Sequence, residues 1–170
     1  MDFASPDFRF WLQVALIAIL ALAAWRWGSG PERALAGVLV WFSAGDALNH
    51  AIFGGWTDFA TVDTGHVVIE AVALAVALAV ALFANRIYPL WFAAFQLIAL
   101  LAHLARDLAQ GIAPLAYLIM YIGPSYCQII LLAGGIWLHR RRMLRHGRYR
   151  SWRSFSPPSP APRRSSWPSG

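Results

Sequence analysis

The sequence is most constrained by five apolar segments, each close to the ~20 residues that a helix needs to cross a bilayer. The segments extend over approximately residues 10–27, 34–53, 64–85, 89–107 and 113–138. Charged residues make up 13% of the chain, which is roughly half their share in soluble domains. We therefore predict an all-α polytopic membrane protein, in which residues 1–138 form a five-helix transmembrane bundle.

Local signals agree with these limits. Pro31 and Glu32 suit the first turn of the second helix, and Pro89 suits the start of the fourth. The first segment contains small residues of the kind found at signal-peptide cleavage sites. However, Asp2 and Asp7 precede it and its apolar run is long. We therefore expect the first segment to be retained as a span.

The placement of arginine predicts the orientation of the bundle, because positively charged loops stay in the cytoplasm. Arg26 and Arg33 mark the first loop and Arg86 marks the third, whereas the second loop carries Asp58 and Asp63. Nine of the fourteen arginines, and no acidic residue, follow the last span. These charges predict a multipass protein of the bacterial inner membrane, with its N-terminus outside and its C-terminus in the cytoplasm.

Residues 139–170 form a basic tail that is rich in arginine, proline and serine. This composition predicts disorder after Gly147, because the segment cannot bury enough apolar surface to fold. The arginines nearest the last span are expected to contact anionic lipid headgroups, at ~1 kcal/mol each, and nucleic-acid binding is disfavoured. These arginines are Arg140, Arg141, Arg142 and Arg145.

Polar residues recur at helical spacing inside four of the five predicted spans. They are Asp46, Asn49 and His50 in the second span, His66 and Glu70 in the third, Gln96, His103 and Asp107 in the fourth, and Tyr117, Tyr121, Ser125 and Gln128 in the fifth. Ionisable groups are costly in a bilayer and indicate the bundle interior or a functional site. With a rise of ~1.5 Å per residue, those of spans two to four all fall in the outer half of the bilayer. The short connections between these spans predict that the side chains converge.

Three chemistries fit such a cluster. The imidazoles of His50, His66 and His103 can hold a zinc-like divalent cation. In that case a carboxylate of Asp46, Glu70 or Asp107 orients a ligand histidine or acts as a general base. Alternatively, the histidines and carboxylates relay protons or bind a cation during transport. Haem ligated by two histidines is the weaker cofactor prediction.

The residues expected to line a cavity around this cluster lie on three spans. They are Asn49, Gln96, Tyr117, Tyr121, Pro124, Ser125 and Gln128. Pro124 removes a hydrogen bond from the fifth span, and interrupted helices often line binding sites in membrane proteins. The same amide side chains equally suit structural hydrogen bonds between helices.

Two classes of function follow from these patterns. The sequence favours an accessory, assembly or scaffolding protein over an enzyme, because it contains no soluble catalytic domain. The alternative is a protein whose cluster is a working site: a metal-dependent hydrolase acting on a lipid-like substrate, a proton or small-solute transporter, or a haem-bearing redox subunit. The alanine-rich third span and Gly134-Gly135 permit close contact with a second copy or another membrane partner.

Overall fold

A computed structural model describes residues 6–53, 64–108, 114–147 and 149–153. These residues form five helices: α1 (Pro6–Trp27), α2 (Gly30–Phe53), α3 (Thr64–Phe83), α4 (Tyr88–Leu108) and α5 (Pro114–His146). Each helix covers one of the five predicted segments, and the described residues contain no β-strand. The prediction of an all-α fold is therefore confirmed.

The helices pack side by side in chain order, and α1 also contacts α5, so the arrangement closes on itself. One face of α3 is lined with small side chains, of which Ala73, Ala77 and Ala81 are buried. These alanines belong to the same core cluster as Phe92 of α4 and Leu132 of α5. Small residues at a helix contact let two backbones approach closely, which allows α3 to pack tightly against its neighbours α2 and α4.

The bundle has an apolar exterior and a partly polar interior. Large apolar side chains are exposed on every helix, for example Trp11, Leu22, Val40, Val72, Leu97 and Ile130. Buried polar side chains include Glu32, His66, Glu70, Gln96, His103 and Gln128. The buried core is mostly apolar as well, and the ionisable side chains within it are unusual, because such groups are almost never fully buried unless paired.

Two helical stretches, Phe8–Trp27 and Gly65–Phe83, are long and apolar enough to cross a membrane. Tyr88–His103 is a shorter apolar stretch. The number and positions of the helices match the predicted spans, whereas membrane crossing by all five stays a prediction.

Helix α5 is longer than the fifth predicted span and continues past residue 138 to His146. Arg140, Arg141 and Arg142 therefore lie on a helix and not in a loose tail. Gly147 ends the helix with a φ of 75°, and its N–H donates to the carbonyl of Met143 at 3.0 Å. A glycine in this left-handed conformation is a common way to end a helix, and it reverses the chain direction.

After Gly147 the chain returns to the end of α3. The N–H of Asn85 donates to the carbonyl of Ser151 at 3.1 Å, and the N–H of Arg153 donates to the carbonyl of Phe83 at 2.8 Å. The predicted disorder is therefore wrong for residues 149–153. Their backbone pairs with groups that the end of α3 leaves open. The ring of Trp152, which is 42% exposed, also lies against Gly30 at the start of α2.

Candidate functional site

Four ionisable side chains meet where the C-terminal parts of α2 and α4 lie beside the N-terminal part of α3. Asp46 comes from α2, His66 and Glu70 lie one turn apart on α3, and His103 comes from α4. The ring centroids of His66 and His103 are 5.1 Å apart. We refer to Asp46, His66, Glu70 and His103 as the histidine cluster.

The Asp46 carboxylate orients His66. The Nδ1 atom of His66 lies 2.8 Å from Asp46 Oδ1, a normal hydrogen-bond length. When Nδ1–H donates to this carboxylate, the neutral ring keeps its lone pair on Nε2, on the side of Glu70. A carboxylate behind a histidine is the arrangement that fixes the tautomer and raises the basicity of metal-binding histidines.

The remaining contacts of the cluster have the spacing of metal ligands. Glu70 Oε1 lies 3.6 Å from His66 Nε2 and 3.5 Å from His103 Nε2. Both distances exceed the ~2.7–3.2 Å of an N–H···O hydrogen bond. A tetrahedral zinc ion, bound at ~2.0–2.2 Å, holds adjacent N and O ligands about 3.3–3.6 Å apart. One ligand atom from each of these three residues lies within 4.8 Å of the other two.

The three candidate ligands are removed from solvent. The exposed fractions of His66, Glu70 and His103 are 4%, 1% and 6%. Glu70 Oε2 is buried and has no hydrogen-bond partner among the residues that the structure describes. A buried carboxylate is expensive unless its charge and lone pairs are compensated, and a divalent cation would supply that compensation.

Close packing of α2 on α3 positions the cluster. A Cβ atom at Gly65 would collide with the side-chain amide of Asn49, so glycine lets this amide lie directly against α3. Phe42 of α2 packs its ring edge-on against His66, with centroids 5.3 Å apart and planes at 78°. Asn49 is buried, with its side-chain amide against Gly65 of α3 and one turn from Asp46, and its predicted cavity-lining role stays a prediction.

An open cleft of about 240 Å³ reaches the histidine cluster at Asp46. Helices α1, α2 and α5 form its walls. The lining includes polar side chains from Arg9, Gln13, Asp46 and Ser125, together with the rings of Phe10 and Phe42. The cleft therefore offers both charged and apolar surface beside the residue that holds His66.

Two of the predicted cavity residues form a structural contact. Gln128 Nε2 donates to Gln96 Oε1 at 2.8 Å and approaches the carbonyl of Phe92 at 3.3 Å, and both glutamines are buried. This pair joins α4 to α5. Pro124 is buried within the continuous helix α5, and Ser125, which lines the cleft, donates to the carbonyl of Ile122 at 2.8 Å.

Four further residues were predicted to belong to the site. The side chains of His50, Asp107, Tyr117 and Tyr121 lie outside the described residues. The predicted roles of His50 as a ligand and of Asp107 as a base or orienting group stay predictions. The cluster of described residues has two histidines and Glu70 as its candidate ligands.

A second buried cluster lies at the opposite end of the bundle. Its centre is an ion pair between Arg86, in the turn after α3, and Glu32, in the first turn of α2. Glu32 also accepts hydrogen bonds from Ser29 Oγ at 2.6 Å and from Tyr88 OH at 2.9 Å. Arg86 Nη2 lies 2.9 Å from Tyr149 OH. We call these residues, with His139, the arginine cluster: Ser29, Glu32, Arg86, Tyr88, His139 and Tyr149.

His139 completes the arginine cluster as a neutral acceptor. It lies one residue beyond the predicted fifth span, with Nδ1 3.0 Å from Arg86 Nη2 and 2.7 Å from Tyr149 OH. Burial, and then the positive charges of Arg86 and Arg142, lower the pKa of His139 below its usual 6.5. Burial also lowers the pKa of Arg86 from its usual range.

Sequence reasoning missed the arginine cluster, since each member had a local explanation. Glu32 suited a helix N-terminus and Arg86 suited a cytoplasmic loop. The available signal was that both residues fall on the same predicted side of the bundle. An acid buried in the first turn of one span and a lone base between two others could have been expected to pair.

Comparison of the chain with protein-family models, with curated proteins and with solved structures gives no match.

Proposed function

We propose that this chain is a multipass membrane protein that binds a zinc-like divalent cation in the histidine cluster. Five helices at the predicted positions, an apolar exterior and a charged interior support insertion of the whole bundle in a bilayer. In the predicted orientation, the histidine cluster lies near the outer surface and the arginine cluster near the cytoplasm.

The spacing around Glu70 carries the metal proposal. Glu70 Oε1 lies 3.6 Å from His66 Nε2 and 3.5 Å from His103 Nε2, longer than an ordinary hydrogen bond and close to an edge of a zinc coordination tetrahedron. Asp46 holds one of these imidazoles from behind at 2.8 Å. Two histidines and one glutamate form a ligand set known from catalytic zinc sites, which keep a fourth position for water.

Hydrolysis of a lipid-like substrate is the reaction that best suits this site. Zinc lowers the pKa of bound water to about 7 and polarises a carbonyl or phosphoryl group. The cleft reaches the cluster at Asp46, on the Nδ1 side of His66, and its described lining does not include the three candidate ligands. It brings Arg9 and Gln13 together with Phe10 and Phe42, a lining that fits the polar head and apolar chain of a lipid-like molecule. Asp46 acts in this scheme as a positioning residue for His66.

The geometry gives less support to the other site-based functions. The imidazole rings of His66 and His103 are in edge contact, with centroids 5.1 Å apart and Glu70 beside both, which leaves no space for a porphyrin between them. Between the two polar clusters, the interior holds fully buried apolar side chains such as Ala77 and Phe92, together with the buried pair of Gln96 and Gln128. A proton or solute path would have to cross this packed region.

Metal analysis of the detergent-purified protein tests the proposal. We expect one equivalent of zinc in the wild type, and loss of that zinc in His66→Ala and in His103→Ala. His146→Ala, which changes an exposed histidine on the last turn of α5, should keep the full equivalent. Hydrolysis of fluorogenic lipid esters by the same samples then tests the reaction class.

The same measurement separates this proposal from the accessory or scaffolding role. A scaffold would use the cluster only to hold helices together, and would purify without stoichiometric metal. Wild-type protein that binds no zinc after incubation and desalting, or His66→Ala protein that binds as much as wild type, would contradict the metal site.

A further inference from the structure

A pocket of about 490 Å³ opens at the end of the bundle that carries the arginine cluster. The turn between α3 and α4, the last turns of α5 and residues 149–153 form its walls. The polar lining comes from Asn85, Arg86, His139, Arg142, Tyr149 and Arg153. Its volume falls within the range of small-molecule sites.

The pocket has an excess of positive charge. Three of its lining residues are arginines, and none of the described lining residues is acidic. Glu32 neutralises Arg86 from behind the pocket. Arg142 and Arg153 have no acidic partner among the described residues. The pKa of His139 is lowered, so this side chain is neutral at neutral pH and leaves the charge of the pocket unchanged.

The two uncompensated arginines are held in place by contacts that leave their charge intact. The Arg142 guanidinium stacks on the Tyr149 ring, 5.3 Å from its centroid. The Nε atom of Arg153 donates to the carbonyl of Ala84 at 3.2 Å. A guanidinium that is fixed in orientation loses less entropy when it binds an anion.

We propose that this pocket binds a phosphate group through Arg142 and Arg153. Arginine forms paired, charge-assisted hydrogen bonds with phosphate oxygens. The phosphate can belong to a lipid headgroup or to a free phosphate compound, because the pocket lies at the predicted membrane surface. This site differs from a general attraction between anionic lipid and the basic C-terminal end of α5. Such an attraction would use Arg140, Arg141 and Arg145 as much as Arg142. It does not depend on the metal site.

Titration of the full-length protein with two probes tests the pocket. One arm uses inorganic phosphate with protein in neutral detergent, and the other uses phosphatidylcholine nanodiscs containing a minor fraction of phosphatidic acid. Both arms use metal-free protein at constant ionic strength, so that phosphate does not report on the histidine cluster. The variants are Arg142→Gln and Arg153→Gln, and the matched control is Arg145→Gln, an exposed arginine of α5 outside the pocket lining.

We expect saturable binding in at least one arm, weakened on the order of tenfold by Arg142→Gln and by Arg153→Gln. Arg145→Gln should change it less than twofold. Binding only in the nanodisc arm would identify a lipid headgroup, and binding in detergent would identify a free phosphate; either supports the pocket. Equal losses in Arg145→Gln and Arg142→Gln, or no saturable binding by folded protein in either arm, would overturn it.

Discussion

The two ends of the bundle both bury ionisable side chains, but they compensate them differently. In the arginine cluster, Glu32 accepts hydrogen bonds at 2.6 and 2.9 Å and pairs with Arg86, which contacts further groups at 2.9–3.0 Å. In the histidine cluster, the contact of Asp46 with His66 is short at 2.8 Å. Glu70 Oε1, however, stands 3.5–3.6 Å from both imidazoles.

This difference separates a structural network from a candidate binding site. In the arginine cluster, groups paired at hydrogen-bond distance make the fold specific, although Arg86 Nε is buried without a hydrogen-bond partner among the described residues. In the histidine cluster, the buried Oε2 atom of Glu70 has no hydrogen-bond partner among the described residues, at a cost that a bound cation can offset. We therefore expect mutations in the arginine cluster to lower stability, and mutations in the histidine cluster to lower metal affinity.

The largest effect is expected from Arg86→Met, which removes the cation paired with fully buried Glu32. An uncompensated buried charge costs about 3–5 kcal/mol, so the free energy of unfolding in detergent should fall by this order. Arg26→Met, at an exposed position near the same end, should leave it nearly unchanged. Adding Glu32→Gln to Arg86→Met should recover much of the loss. If the Arg86 and Arg26 variants were equally stable, this result would contradict a structural role for the arginine cluster.

A smaller effect, on metal affinity and not on folding, is expected from Asp46→Asn. The amide keeps the shape of the side chain but loses the negative charge that orients His66. Loss of such an outer partner typically weakens metal binding 10–100-fold. Competition with a chromophoric chelator measures the change, with Ser43→Ala as a cleft-lining control on the same helix. Unchanged zinc affinity in Asp46→Asn would show that the carboxylate does not support a ligand.

The glutamine pair between the two clusters sharpens the comparison further. If Gln96 and Gln128 only join α4 to α5, a double-mutant cycle with leucine should give a coupling of about 0.6 kcal/mol, as for other hydrogen bonds between membrane helices. Zinc affinity should stay within twofold of wild type in both single variants. A large loss of zinc binding in Gln96→Leu would instead support the cavity-lining role predicted from the sequence.

The smallest effect concerns pH and His139. Because its folded-state pKa is lowered, the unfolded chain binds a proton at pH values where the folded protein does not. The stability it contributes is complete above about pH 6.5 and is lost as the pH falls through the lower, folded-state pKa. His139→Gln keeps a hydrogen-bond acceptor and should flatten this part of the profile of unfolding free energy against pH. His146→Gln should keep the wild-type slope, and identical slopes in all three proteins would contradict a buried neutral His139.

The sequence predicted the helices well because apolar length is a direct physical signal. The first and second helices end at Trp27 and Phe53, the predicted limits. Helix α5 continues past the predicted end of the fifth span, since arginines that stop a membrane span do not stop a helix, and Gly147 is what ends it. Docking of residues 149–153 was missed because it depends on open backbone groups, which composition does not reveal.

The candidate site was predictable in part. Helical spacing put His66 beside Glu70, and short connections between spans brought α2, α3 and α4 together. Spacing could not reveal which atoms face one another: Glu70 takes the position of a candidate ligand and Asp46 that of the group behind His66. These assignments depend on side-chain directions set by packing, such as the contact of Phe42 with His66.

X-ray absorption at the zinc edge of the loaded, detergent-purified protein tests the central claim most directly. We predict a four-coordinate shell of N and O ligands at ~2.0–2.2 Å, with the outer-shell scattering of two imidazoles. His103→Ala should retain the scattering of one imidazole at most, and His146→Ala should match wild type. A shell containing sulfur from Cys127, an all-oxygen shell, or a spectrum unchanged in His103→Ala would contradict the account.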